Sequence, residues 1–207
     1  AAALLRDGKI VAAAEEERFT RKKHDHDFPV NAINYCLEEG KVSAKDLDAV
    51  GFYEKPLIKF ERLLFTYIDT FPRSFVSFTK SMPIWLKQKL WIPSIIQDEL
   101  GYTGNIYFIE HHLSHAASAY LISGFDSAAV LTSDAIGEWA TSTLGRAEGN
   151  DIEILYEMRF PHSLGMLYSA FTYYTGFEVN DGEYKVMGLA PYGEPIYVDT
   201  IMENLID

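Results

Sequence analysis

Asn105-Ile106-Tyr107-Phe108-Ile109-Glu110-His111-His112-Leu113-Ser114-His115-Ala116-Ala117-Ser118-Ala119-Tyr120 turns from an apolar strand into a helix of small residues, and this turn decides the class of the fold. Asn105–Glu110 reads as a strand, and His111 to Ile122 as a helix stopped by Gly124. Ala128–Ser133 follows as a second apolar strand and ends at Asp134. Strand, helix and strand in that order give an α/β protein. The histidines then stand at the C-terminal edge of a strand, where α/β proteins collect ligands.

Outward from this centre the pattern continues. Toward the N-terminus, Ala1–Leu5 and Ile10–Glu15 flank Asp7-Gly8, a dipeptide suited to the positive φ angles of a tight hairpin. Pro29 fits the first turn of a helix and Gly40 its stop, with Ile33 and Leu37 on one face. Ala49–Tyr53 reads as a buried strand. From about 55 to 103, Leu57, Phe60, Leu64 and Tyr67 recur at helical spacing, then Trp85, Leu90 and Ile95 in further pieces. Pro72, Pro83 and Pro93 are expected to break this helical insertion, which reads as a cap or a subunit contact and leaves a homodimer open. Toward the C-terminus, Thr141–Arg146 and Ile152–Arg159 suit a meander, and Leu164–Tyr174, Glu183–Leu189 and Ile196–Ile206 suit helices. The opening hairpin argues against a purely parallel sheet, so one mixed sheet is expected.

The composition excludes several functions. Of 207 residues, 48% are hydrophobic and 14% aromatic, enough for a sizeable core. A net charge of −12 opposes nucleic-acid binding, which draws its affinity from cations meeting phosphates. Arg18, Arg21, Lys22 and Lys23 follow directly on Glu15, Glu16 and Glu17, and read as mixed surface charge. Cys36 is the sole cysteine, so an internal disulfide and a CxxC site are excluded, which suits a reducing, cytoplasmic compartment. No apolar run approaches the ~18 residues of a membrane span, and no signal peptide stands at the start. GxxxxGK[ST], GxSxG, HExxH and GxGxxG are all absent.

The chemistry gathers in three runs. On a helix, His111 and His115 lie one turn apart on one face, with small Ser118 and Ala119 continuing it. Two such imidazoles can bind one divalent metal; the alternative is a polar helix start with satisfied histidines. His112 points about 100° away and reads as structural. Asp134 ends the next strand, so adjacent strand ends can bring its carboxylate to the same ion. Two imidazoles with one or two carboxylates suit Fe(II), Zn(II) or Mn(II) better than Mg(II) or Ca(II). In the second run, Asp134-x-x-Gly137 followed by Thr141 resembles the phosphate-facing hairpin of actin-like and sugar-kinase-like proteins, where glycine lets a backbone approach a nucleotide. A plain turn explains it equally. In the third, Gly182-Glu183-Tyr184-Lys185 puts Lys185 in the first turn of a helix, where a cation can join backbone amides in holding an anion such as an adenylate phosphate. A surface lysine paired with Glu183 or Glu178 is the alternative.

Longer strings then carry a resemblance. Asp7 through Arg21, Lys23-His24-Asp25, Phe28-Pro29, Glu110–Tyr120, Asp134 with Gly137-Glu138-Trp139-Ala140-Thr141, Phe160–Gly165, Tyr168–Thr172 and Gly182–Gly193 together resemble the O-carbamoyltransferase family of nodulation and antibiotic tailoring. The resemblance implies an actin-like, sugar-kinase-like (ribonuclease H-like) fold. It also implies a separate C-terminal domain that makes carbamoyl adenylate from carbamoyl phosphate and ATP. The N-terminal region would then pass the carbamoyl group to a hydroxyl of a small-molecule acceptor such as a sugar, an antibiotic or a nodulation factor. The family's metal ligands, an HxxxH pair and two aspartates, carry over here as His111, His115 and Asp134. Where the family commonly has glycine this chain has Ala135.

Both ends read as cut from something longer. The chain starts without an initiator Met and ends at Asp207 inside a helical pattern. The family's His-Asp pair, with the expected catalytic base, would precede Ala1. The fourth metal ligand and the adenylate-forming domain would follow Asp207, leaving residues 1–207 as a partial transfer domain without activity alone. A non-catalytic nucleotide- or metal-binding module of the same fold is the competing reading. A tRNA-modifying relative is a third, opposed by the acidic composition.

Overall fold

The computed structural model describes residues 1–25, 27–87 and 89–206. The chain divides into a first unit, Ala1–Ile109, and a second that begins at Glu110.

The first unit opens on the expected hairpin. β1 (Ala2–Arg6) and β2 (Lys9–Ala14) pair antiparallel, with Asp7 at φ 51° and Gly8 at φ 74° in the turn. Two successive positive φ angles match the twist of the strands, which is why Asp-Gly serves here. A short helix, α1 (Glu17–Thr20), leads to α2 (Val30–Gly40). Gly40 is the last residue of α2 rather than its stop. The left-handed residue is Lys41 at φ 53°, and Gly40 is buried where a Cβ would run into the side chain of Leu4. The Glu15–Glu17 run also departs from its surface reading, because Glu16 is buried. Its carboxylate accepts the Asn31 and Ala32 N–H groups at 3.2 and 2.8 Å, capping α2 where Pro29 offers no side-chain cap.

β3 (Ala49–Phe52) pairs parallel with β4 (Asn105–Phe108), and between them run α3 (Pro56–Asp69), α4 (Phe75–Lys87) and α5 (Ile92–Leu100). Pro72 falls between α3 and α4, and Pro93 lies in the first turn of α5, as expected. Pro83 instead sits inside α4 without ending it. Ala44, Ile96 and Tyr102 form a core with Leu37, Val50, Ile92 and Ile106 packed around them.

The second unit is built on α6 (His111–Tyr120) and a meander of β5 (Ser127–Ser133), β6 (Ala140–Glu148) and β7 (Asp151–Arg159). One face of the sheet presents Val130 and Ala147, and α6 lays Ala116 and Tyr120 on it, with Ala128, Ile152 and Ile154 at the margin. α7 (Leu164–Tyr174), α8 (Glu183–Leu189) and α9 (Val198–Leu205) follow. Asp207 lies outside the described residues.

The α/β class stands, but the expected single mixed sheet does not form among the described residues. Two antiparallel sheets and one parallel pair take its place. Alternation along a strand specifies which face is buried, not which strand lies beside it. No helix among the described residues is long and apolar enough to cross a membrane.

Candidate metal centre

α6 begins at the residue that carries the first imidazole. Its helical spacing brings His111 and His115 together edge to face, with ring centroids 4.7 Å apart. From the loop after β5, Asp134 reaches the same point. His111 Nε2 lies 2.8 Å from Asp134 Oδ2, His115 Nε2 lies 3.1 Å from His111 Nε2, and His115 Nε2 lies 3.6 Å from Asp134 Oδ2. Donor atoms sharing one ion at metal–ligand distances near 2.1 Å stand about 3.0–3.4 Å apart. The three edges bracket that spacing, and the donor set of two imidazoles and a carboxylate fits a divalent transition metal.

Within the second unit, β5 pairs with β6. Asp134 meets His111 because α6 lies across β5 within one packed unit. The hydrogen bond with His111 holds the Asp134 carboxyl well below the usual carboxylate range, against the opposing effect of partial burial. Its other oxygen accepts the Ala135 N–H at 2.7 Å. Asp134 is therefore fixed as an anion aimed at the imidazole pair.

His112 faces the other way and is buried. Its Nε2 lies 2.9 Å from Ala140 O and its Nδ1 2.7 Å from Thr132 Oγ1, which is 2.6 Å from Thr143 Oγ1. A carbonyl can only accept, so Nε2 carries the proton and Nδ1 accepts the Thr132 hydroxyl. Thr143 then donates to Thr132. Burial pushes the His112 imidazole below its ordinary pKa, which keeps it in this neutral tautomer.

The loop 134–140 is shaped by glycines. A Cβ on Gly137 would lie 3.1 Å from His111 Cβ and from His112 Cδ2, a tight contact that glycine avoids where the loop lies against both histidines. Gly165, at the start of α7, abuts the Asp134–Ala135 peptide, where a Cβ would come within 2.6 Å of Ala135 N. Ser163 completes the seat by capping α7 at Met166 N and donating to Ala135 O at 2.7 Å.

The other two expected ligand-binding positions have different settings. Thr141 is fully buried. Its hydroxyl is directed at His162 O (2.6 Å) and Met158 O (3.2 Å), and its own carbonyl accepts the Asp134 N–H at 2.9 Å. Its contribution reaches the cluster through the placement of Asp134. Lys185 lies in the first turn of α8 with its side chain 41% exposed and its Nζ 3.4 Å from Asp181 Oδ2. That partner is neither Glu183 nor Glu178. Glu183 instead accepts from Asn180 N and Ser169 Oγ, both at 3.0 Å, and ties α8 to α7.

One carboxylate went unassigned by sequence. Glu138 is buried, and both its oxygens accept the His111 N–H, at 3.1 and 3.2 Å. Its position four residues after Asp134, between Gly137 and Trp139, was the available signal.

Comparison with known proteins follows the same outline. A family model described as the carbamoyltransferase N-terminus matches residues 1–207. An uncharacterized protein of Synechocystis sp. is 56% identical over the whole chain, which covers 35% of that relative. Nodulation protein NolNO of Sinorhizobium fredii is 38% identical over 94% of the chain, covering 28% of the relative. An uncharacterized protein of Methanocaldococcus jannaschii is 26% identical over 91% of the chain and 30% of its own length. The chain thus spans about a third of the curated relatives it matches.

Proposed function

The chain belongs to the carbamoyltransferase N-terminal family, and on that footing we propose that it carries the metal-dependent transfer step of an O-carbamoyltransferase. The observation that supports this reading is the convergence of His111, His115 and Asp134 on one point. These three would hold a divalent metal, Fe(II) in first place with Zn(II) or Mn(II) as alternatives. Once bound, the metal would supply Lewis-acid polarisation of the carbamoyl donor. The donor is carbamoyl adenylate, formed from carbamoyl phosphate and ATP by sequence outside the matched third of the relatives. The acceptor is a hydroxyl of a small molecule such as a sugar, an antibiotic or a nodulation factor.

The residues of this chain prepare the site. Asp134 Oδ2 stands 2.8 Å from His111 Nε2, so both offer an atom to one point, and His112 anchors the buried side of α6 to β5 and β6. Gly137 and the loop around it offer backbone close to the imidazoles, suited to the phosphate of an adenylate. Lys185, whose bond to Asp181 is long and partly exposed, would contribute a cation to the same phosphate. The proposal includes an actin-like fold, with residues 55–103 as an insertion in it and residues 1–207 as part of the transfer domain. A location in the cytoplasm and a reaction without nucleic acid or membrane complete it.

The full-length protein, given carbamoyl phosphate, ATP and a panel of hydroxylated acceptors, should form an acceptor carbamate. Chelation of divalent metal should stop the reaction and Fe(II) should restore it. Metal uptake with no carbamate on any acceptor would favour a non-catalytic binding module. Carbamate formation unaffected by chelation would remove the metal from the mechanism.

A further inference from the structure

α6 starts without a local cap. Glu110, the residue before it, has extended backbone angles (φ −61°, ψ 139°) and makes no side-chain cap bond. The first N–H of an α-helix has no partner inside the helix. In α6 that group belongs to His111, and it is taken by Glu138, 27 residues further along the chain.

Glu138 is only 7% exposed. A buried carboxylate is costly unless it finds donors and positive potential, and a helix N-terminus offers both. The same loop that carries Glu138 also carries Asp134, bonded to His111 Nε2, and leads into Ala140 at the start of β6, bonded to His112 Nε2. His111 is therefore held at two points by one loop, its main chain by Glu138 and its imidazole by Asp134. His115 lies one turn further in, on the regular part of the helix.

We propose that Glu138 is a positioning residue for the metal centre, holding the first turn of α6 so that His111 Nε2 stays beside Asp134 and His115. The inference rests on the reading of His111, His115 and Asp134 as metal ligands. Without the Glu138 carboxylate the first turn of α6 loses its cap, and His111 is the ligand carried on that turn. Glutamine at 138 keeps an oxygen acceptor at the same reach, so position rather than charge carries the effect. Aspartate, shorter by one methylene, withdraws the acceptor.

Titration of the intact protein with Co(II), whose visible absorption reports the number and geometry of its ligands, tests this. Glu138→Ala should weaken Co(II) binding by about tenfold or more and alter the absorption spectrum, the usual scale for losing a partner that orients a ligand. Glu138→Gln should restore both affinity and spectrum to within about threefold of wild type. If the alanine variant does not fold, Glu138→Asp against Glu138→Gln gives the same contrast. Wild-type affinity and spectrum in the Ala or Asp variant would overturn the proposal, as would a Gln variant as weak as Ala. A His111→Ala protein that still binds Co(II) normally would instead reject the metal reading beneath it.

Discussion

Two runs of this chain carry polar residues suited to chemistry, and they are held in different ways. In the run from α6 to the loop after β5, three donor atoms meet at one point, and buried bonds fix them from behind. In the run at α8, the polar residues face one another locally. Lys185 lies beside Asp181, and Glu183 receives Asn180 and Ser169. A ligand site needs side chains whose partners leave their reactive atoms aimed outward together. In the first run His112 bonds to the scaffold, while the donor atoms of His111, His115 and Asp134 face one another.

The largest expected effect breaks the first run. A His111→Ala, His115→Ala double variant should lose divalent-metal binding by at least about 100-fold, more than the roughly 10–100-fold that losing an orienting partner costs. Its stability should fall by about 1–2 kcal/mol, nearly all of it from His111, whose side chain is 15% exposed and bonded to Asp134, since the His115 side chain is half exposed. Metal content by inductively coupled plasma spectrometry, with urea unfolding in parallel, checks both. Equal metal uptake by the two proteins would end the metal reading.

The next effect should have the opposite profile. His112→Ala removes one buried partner each from Thr132 and Ala140 O, which keep Thr143 Oγ1 and the Gly137 N–H, and opens a cavity under α6. A stability loss of roughly 2–4 kcal/mol is expected, from two lost hydrogen bonds and lost packing together. Metal affinity of the folded fraction should change far less than in the double variant. Urea midpoints and Co(II) titration distinguish the two profiles. A His112 variant that kept its stability and lost its metal would reverse the roles assigned to the two faces.

The sequence made the near side of this comparison legible and left the far side dark. Helical spacing alone places His111 and His115 together and turns His112 away, and Asp-Gly alone specifies the first hairpin. Leu164–Tyr174 and Glu183–Leu189 match their helices end to end. What sequence periodicity does not carry is which elements meet. Periodicity does not show that β3 takes β4 as its partner, or that α6 lies across β5. It read Glu15–Glu17 as surface charge, although Glu16 caps α2 from inside. It gave Glu138 no role for the same reason. A buried carboxylate on a distant helix terminus has no local signature, because its partners lie 15 and 27 residues away.

Lys185 gives the smallest effect and the sharpest test of the second run. As a phosphate ligand it must exchange Asp181, 3.4 Å away, for an anion, and a side chain 41% exposed can do so at little cost. A charge-assisted bond to phosphate contributes about 1.5–3 kcal/mol, so Lys185→Ala should weaken AMP or ATP binding about tenfold or more. The fold should hardly notice, because a long ion pair of a partly exposed lysine with a residue just before α8 contributes at most about 1 kcal/mol. Calorimetric titration of both proteins with AMP, alongside thermal melts, measures the two quantities separately. Affinities that agree within about twofold would leave Lys185 as the surface partner of Asp181.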